Sequence, residues 1–270
     1  MVEEVEAGQG RILGLLQPDL DGKSAVRGRH VLDPPEAGPA DPLHGADEAR
    51  RSMAGYFTRL ALGRPRITLK LALSIDGKIA LPSGESKWIT GEAARLEGHR
   101  LRAAHDAILV GVGTVLADDP ALTVRLPGRS VDHPLRVVLD SALRTPVTAK
   151  VATGDTLILT VAEPAPVGSA RVERVEAEDD RPAPRAVLAA LANAGVASVL
   201  IEGGGQVAAA FLRAGLVNRI EWFRAPILLG AEGLPCVAAL ALAKLADAPK
   251  FRRLSVEALG DDLWERYERI

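Results

Sequence analysis

The sequence predicts an α/β fold, a mixed and mainly parallel sheet with helices on both faces, from three features. Between residues 66 and 214 strand-like and helix-like hydrophobic periods alternate, as they do when parallel strands are joined by helical crossovers. Two further strand patterns, over 251–258 and 262–269, flank Gly260-Asp261 and are spaced to pair as a hairpin, adding an antiparallel edge. A chain of 270 residues, 47% hydrophobic, has room for one large domain or two small ones around a substantial core.

Each element has a local reason. Residues 1–50 hold ten acidic and five basic side chains, a net of −5, which leaves +3 on residues 51–270. Pro18, Pro34, Pro35, Pro39 and Pro42 stand among glycines and charges, so residues 1–45 read as a poorly structured extension or the remnant of a larger domain, with one strand-like stretch at 11–16. A helix is expected from an N-cap at Asp47, with Met53, Phe57 and Leu60 on one stripe and Gly63 as its stop before Pro65. Over 66–74, Ile67, Leu69, Leu71 and Leu73 alternate with Thr68, Lys70, Ala72 and Ser74, a strand with one core face and Lys70 on the other. Asp76-Gly77 then turns the chain into 78–81. Downstream come a helix over 91–104, strands over 107–111, 135–140 and 156–161, a helix over 184–194, a strand over 197–202, a helix over 206–214 and a strand over 217–225. There is no internal repeat.

Composition narrows the chemistry. The longest run free of polar residues and glycine, residues 236–243, is far short of the roughly 20 residues a bilayer requires. The acidic first ten residues lack the basic and apolar regions of a secretory signal, so a cytoplasmic location is expected and no membrane partner. One cysteine, Cys236, cannot form an internal disulfide, and five scattered histidines make no zinc-ligand spacing, so no metal site is expected. His99, His105, His30, His44 and His133 read as structural or solvated. A net charge of −2 with 3% aromatic residues speaks against nucleic acid, and the expected partner is a small molecule.

The strongest local signal is a strand ending in Glu202 and followed by Gly203-Gly204-Gly205 at the start of a helix. Glycines there let backbone N–H groups approach an anion, aided by the helix dipole. A turn needed only for tight packing accounts for the glycines equally well; Glu202, at the C-terminal end of a parallel strand where open α/β sheets keep their ligands, favours binding. A second strand ends in Gly111-Val112-Gly113-Thr114, again without the full G-x-G-x-x-G fingerprint. Two such strand ends suggest a cofactor lying across the sheet edge. Between and around them, Ser86, Thr90 and Arg102 are residue types that bind a phosphate monoester. Thr90 serves equally as the N-cap of the following helix.

Four segments carry a family resemblance: residues 68–77 with Lys70 and Asp76-Gly77, residues 83–91 with Ser86 and Trp88, residues 109–125 with Asp118-Asp119-Pro120 and Arg125, and Glu202-Gly203-Gly204-Gly205. Together, in order across residues 66–230, they resemble the reductase domain of the bifunctional riboflavin-biosynthesis deaminase/reductase. The resemblance implies a dihydrofolate-reductase-like fold over 64–270, a connecting helix over 46–63, and a homodimer. It implies NADPH-dependent reduction of 5-amino-6-(5-phosphoribosylamino)uracil to the ribitylamino compound, by hydride transfer to C1′ of an imine. Carried over residue by residue, Lys70, Asp118 and Glu202 are the catalytic set. Ser86, Arg102, Leu122, Arg125 and Glu202 hold the phosphorylated substrate. Ala72, Trp88, Thr114, Asp118, Ser141, Gly204, Gly205, Gln206 and Val207 hold the NADPH. The alternating phase alone would permit Lys70 to be an ordinary exposed strand lysine; the catalytic role comes from the motif.

The chain also departs from the bifunctional pattern. Zinc-dependent deamination needs H-x-E and P-C-x-x-C; no His here is followed two residues on by Glu, and Pro235-Cys236 is followed by Val-Ala-Ala. Deaminase activity is therefore not expected, and a separate deaminase is a candidate partner. Two competing readings keep the fold: the same cofactor acting on a pterin-like or other imine, and a non-catalytic partner of that deaminase.

Overall fold

The computed structural model describes residues 53–128 and 131–270, preceded only by the backbone of an antiparallel pair, Val5–Glu6 with Arg11–Ile12. Contacts divide the chain into Met1–Asp47 and Glu48–Ile270. The extension expected over 1–45, apart from that pair, and the helix start expected at Asp47 lie outside the described residues. Among the described residues no helix is long and apolar enough to cross a membrane, and no three His, Cys, Asp or Glu side chains gather as a metal site.

The second unit is built on one sheet of nine strands. In chain order they are β1 (Arg66–Ser74), β2 (Ala107–Gly111), β3 (Leu135–Leu139), β4 (Thr156–Thr160), β5 (Arg171–Arg174), β6 (Ser198–Glu202), β7 (Arg219–Ala225), β8 (Phe251–Leu259) and β9 (Asp262–Arg269). Across the sheet they run β8-β9-β7-β1-β6-β2-β3-β4-β5. From β7 to β5 every pairing is parallel; β9 is antiparallel to β7, and β8 to β9. The fold class expected from sequence is the one the chain adopts, including the hairpin across Gly260-Asp261.

The helices α1 (Ala54–Leu62), α2 (Glu92–Ala103), α3 (Val112–Asp118), α4 (Pro184–Asn193) and α5 (Gly205–Arg213) follow the same logic. On one face Ile67, Leu69, Leu109, Val199 and Ile201 pack beneath Val187, Leu191, Ala208 and Phe211 of α4 and α5, forming the larger core. The opposite face is split. Ile108, Val110, Val138 and Ile158 pack with Val112 and Val115 of α3, while Phe223 and Trp264 pack with Ala94 of α2. Lys70 lies on this divided face. β1 is thus covered on both sides, which is why Thr68 and Ser74, on its polar phase, are as buried as its leucines.

Three local outcomes differ from a reading of pattern. The stripe of Met53, Phe57 and Leu60 on α1 is exposed; the helix is held instead by Gly55 close against the Ala197 carbonyl and by Arg59 donating to the carbonyls of Ala192 and Gly195, both at 3.2 Å. α3 follows Gly111 with no side-chain cap and is only seven residues long, so its period is too short to register. β5, with the sequence RVER at the sheet edge, has no apolar alternation to betray it.

Candidate active site

The site grows from the register of the sheet. Lys70 on β1 pairs with Glu202 on β6 and with Glu221 on β7. In-register neighbours of a parallel sheet point to the same face, so three charged side chains form a row between the two apolar clusters of the divided face. From α2 above them, Arg102 reaches down and donates Nε to Glu202 Oε1 and Nη2 to Glu202 Oε2, both at 2.7 Å. Its Nη1 donates to the Thr123 carbonyl at 2.9 Å. Such a fork is the strongest geometry a guanidinium and a carboxylate can make. The Lys70 side chain runs beneath Gly98 of α2, whose missing Cβ would lie 3.9 Å from Lys70 Cε, and its Nζ sits 5.6 Å from the Phe223 ring centre. No hydrogen bond or ion pair ties Lys70 Nζ among the described residues.

Electrostatics follow from this enclosure. Burial pushes the Lys70 ammonium below its usual value, and Arg102 pushes the same way, while Glu202 partly offsets both. For Glu202 burial acts to raise the carboxyl, yet the Arg102 guanidinium, with Lys70 and His99 behind it, holds it below the ordinary carboxylate range. Burial opposes the charge of Arg102, and its Glu202 partner more than restores it. Glu221 goes the other way: burial raises it, against Arg219 and a 2.8 Å hydrogen bond from Trp264 Nε1. The result is a fixed carboxylate beside a lysine whose charged form burial disfavours.

Beside this row two glycine turns meet. β6 and β2 are neighbours, β2 ending in Gly111 directly before α3 and β6 running through Gly203-Gly204 into α5. Gly203 and Gly204 have φ of 105° and 82°, values that side chains rarely adopt. A Cβ on Gly203 would stand 3.2 Å from Thr114 Oγ1, and one on Gly111 only 2.9 Å from Val207 Cγ2. The α3 and α5 N-termini are therefore brought together by glycines that leave their backbone bare, a surface suited to the phosphates of a nucleotide. Thr114, Gly204 and Val207 share this turn, whereas Gly205 is packed against Pro235 and Ala238, its carbonyl accepting the Ala238 N–H at 2.9 Å.

The remaining expected residues fall into a second ring. Asp118, last residue of α3, is bound by Lys87 at 3.2 Å, which ties it to the segment of Ser86 and Trp88. Trp88 is 67% exposed, with the Arg95 guanidinium 4.6 Å from its ring centre. Ala72 follows Lys70 on the same face and packs with the Phe223 and Trp264 cluster. Leu122, buried, and Arg125, exposed, lie on the segment that Arg102 holds through Thr123. Ser141 follows β3, its carbonyl accepting from Thr160 Oγ1, and Gln206 accepts from Arg181. Among the described residues no hydrogen bond joins Ser86, Ser141 or Gln206 to the Lys70–Glu202–Arg102 cluster.

Two site residues were missed by sequence reasoning. His99, read as structural or solvated, lies one helical turn from Arg102, and its Nδ1 accepts the Arg125 N–H at 3.2 Å. Glu221 completes the charged row. The signal available for His99 was its i, i+3 spacing from Arg102; for Glu221 it was a carboxylate on the strand Arg219–Ala225, between Ile220 and Trp222.

A parallel sheet that opens two glycine turns at the same edge as a buried lysine, glutamate and arginine belongs to the class of α/β proteins that keep their ligands at strand C-termini. Within that class, the chain belongs to the RibD C-terminal domain family, whose model matches residues 65–264. Riboflavin biosynthesis protein RibD of Bacillus amyloliquefaciens is 38% identical over 225 residues, covering 80% of this chain and 60% of that protein. RibD of Acinetobacter baumannii superposes with a TM-score of 0.75 at 31% identity, over 83% of this chain and 63% of that one. A diaminohydroxyphosphoribosylaminopyrimidine deaminase/5-amino-6-(5-phosphoribosylamino)uracil reductase of Thermotoga maritima does so at 0.70 and 29%, over 83% and 62%. The chain thus spans about three-fifths of the length of such relatives.

Proposed function

We propose that residues 64–270 form a reductase domain that converts 5-amino-6-(5-phosphoribosylamino)uracil to 5-amino-6-(5-phosphoribitylamino)uracil with NADPH. The observation that carries this reading is the Lys70–Glu202–Arg102 cluster set beside the double glycine cradle: a dry proton donor and a fixed carboxylate within reach of a nucleotide-shaped surface.

The residues present fit the cofactor, because Gly203 and Gly204, both at positive φ, carry bare backbone into the turn beside Thr114 at the start of α5. Thr114, Gly204, Gly205, Gln206 and Val207 would hold its phosphates, with Ala72, Trp88, Asp118 and Ser141 along the rest. Bound there, NADPH supplies a hydride for the sugar C1′. The protein's own residues do the rest. Glu202 offers negative charge where the opened ribosylamine carries positive charge as an imine. Arg102 keeps that carboxylate ionised and aimed. Lys70, its ammonium destabilised by burial, gives a proton to the ribose oxygen as the ring opens. Ser86 and Arg125 take the phosphate, and Leu122 packs the sugar. In this reading the enzyme is cytoplasmic and homodimeric, and its substrate comes from a deaminase activity.

The test is direct. Purified chain, NADPH and the phosphoribosylaminouracil are mixed and the reduced-nicotinamide absorbance followed. Substrate-dependent loss of absorbance is expected. A protein that binds NADPH but shows no such loss is not this reductase.

A further inference from the structure

The segment that presents Arg125 is held in a conformation it would not choose alone. Leu122 has φ of 50°, a left-handed backbone that is costly for a large side chain. Something around it must over-determine that shape. Leu122 and Val124 are buried, which anchors every second residue. The polar backbone groups between are taken up one by one. Arg102 Nη1 donates to the Thr123 carbonyl at 2.9 Å. His133 Nδ1 accepts the Val124 N–H at 3.3 Å. His99 Nδ1 accepts the Arg125 N–H at 3.2 Å.

We propose that His99 and His133 are positioning residues for the substrate's phosphate: two imidazoles accepting from consecutive backbone amides fix the segment so that Arg125 meets a pentose phosphate. This rests on the reductase reading for the identity of the substrate. An imidazole nitrogen accepts from an amide only when it carries no proton, so both rings hold their proton on Nε2. His99 is kept in that state: burial, then Arg102 from its own helix and Arg125 from the segment, push it down to about 4, against the opposing pull of Glu202 from β6 and the Thr123 backbone. Helix α2 is then a two-pronged clamp. His99 and Arg102, one turn apart, grip the phosphate segment, and Arg102 also grips Glu202, so the place where phosphate binds is set rigidly against the place where the sugar reacts.

The experiment measures ribose 5-phosphate binding to the full chain by calorimetry, alongside KM and kcat for the phosphorylated substrate. Loss of one such hydrogen bond should weaken phosphate binding by about three- to tenfold. His99→Ala is expected to do this and to raise KM by a similar factor while kcat changes less than about twofold. His99→Gln, whose amide oxygen can accept the same N–H, should restore binding to within about twofold of the parent. His133→Ala, at an exposed ring, should weaken binding in the same direction and serves if His99→Ala does not fold. Parent-like binding by both alanine variants, a His99→Gln as weak as His99→Ala, or no ribose 5-phosphate binding by the parent would each overturn the proposal. If the variants weaken binding as expected and NADPH is still not consumed, the clamp stands and the reductase reading falls.

Discussion

At the scale of the residue, Lys70 and Arg102 carry the same charge into the same cleft but are held in opposite ways. Arg102 is satisfied by Glu202 and Thr123; Lys70 Nζ faces an aromatic ring and has no hydrogen-bond partner among the described residues. Lys70→Met should therefore leave the unfolding midpoint unchanged or raise it, since a desolvated ammonium is removed. On the proposed role of Lys70 as proton donor, turnover should fall by at least about a hundredfold. Arg102→Ala should do the reverse to stability, costing about 3–5 kcal/mol in chemical denaturation, because Glu202 is left as an unpaired buried charge. That Lys70, Glu202 and Arg102 come together was expected from the sequence, Lys70 and Glu202 from their motifs and Arg102 as a guanidinium of the kind that binds a phosphate. What could not be read was Arg102's main occupation: a residue assigned to phosphate spends its fork on Glu202, 100 positions away. His99 and His133 were invisible for a related reason, since their partners are backbone amides that only the folded segment brings near.

At the scale of the element, the glycine turns set the tolerance of the site. β2 and α3 meet at Gly111 against Val207 of α5, and β6 and α5 meet at Gly203 and Gly204 against Thr114. Gly203→Ala forces a side chain into φ of 105° and should cost about 1–3 kcal/mol. At Gly111 the backbone is ordinary but a Cβ would lie 2.9 Å from Val207 Cγ2, so Gly111→Ala must push α5 outward. It should weaken NADPH binding more than it weakens the fold, as read by titration of intrinsic fluorescence against urea melts. Strands and crossovers of this sheet were legible because long apolar runs have one interpretation when helices separate them. Short α3 and charged β5 lacked that redundancy. On α1 the periodicity was real, but the face it marks is exposed, and a glycine and an arginine make the contacts.

At the scale of the whole molecule, the sheet has one continuous apolar face and one divided by a polar seam, and the seam makes stability depend on acid. Of the groups in or beside it that titrate on the acid side of neutrality, three have folded values below their usual ones: His99 at about 4, His105 lowered by burial against its hydrogen bond to Leu101 and the charge of Asp106, and Glu202 held down by Arg102. In each of these three cases the unfolded chain binds more protons than the folded one, so their contribution falls as pH falls, while Glu221, raised by burial, contributes in the opposite sense. The histidines act first. Their contribution is full above the unfolded histidine value near 6.5 and erodes below it, in the case of His99 until about pH 4. Glu202 adds to the loss only below its unfolded value of about 4.5. The two histidines should thus make the urea midpoint decline between pH 6.5 and 5, and Glu202 should add to the loss below 4.5. His99→Gln, which cannot take up a proton, should flatten part of the decline between pH 6.5 and 5 and leave the loss from Glu202 in place. A parent protein whose midpoint stays level from pH 7 to 5 would show that neither histidine is held neutral by the fold.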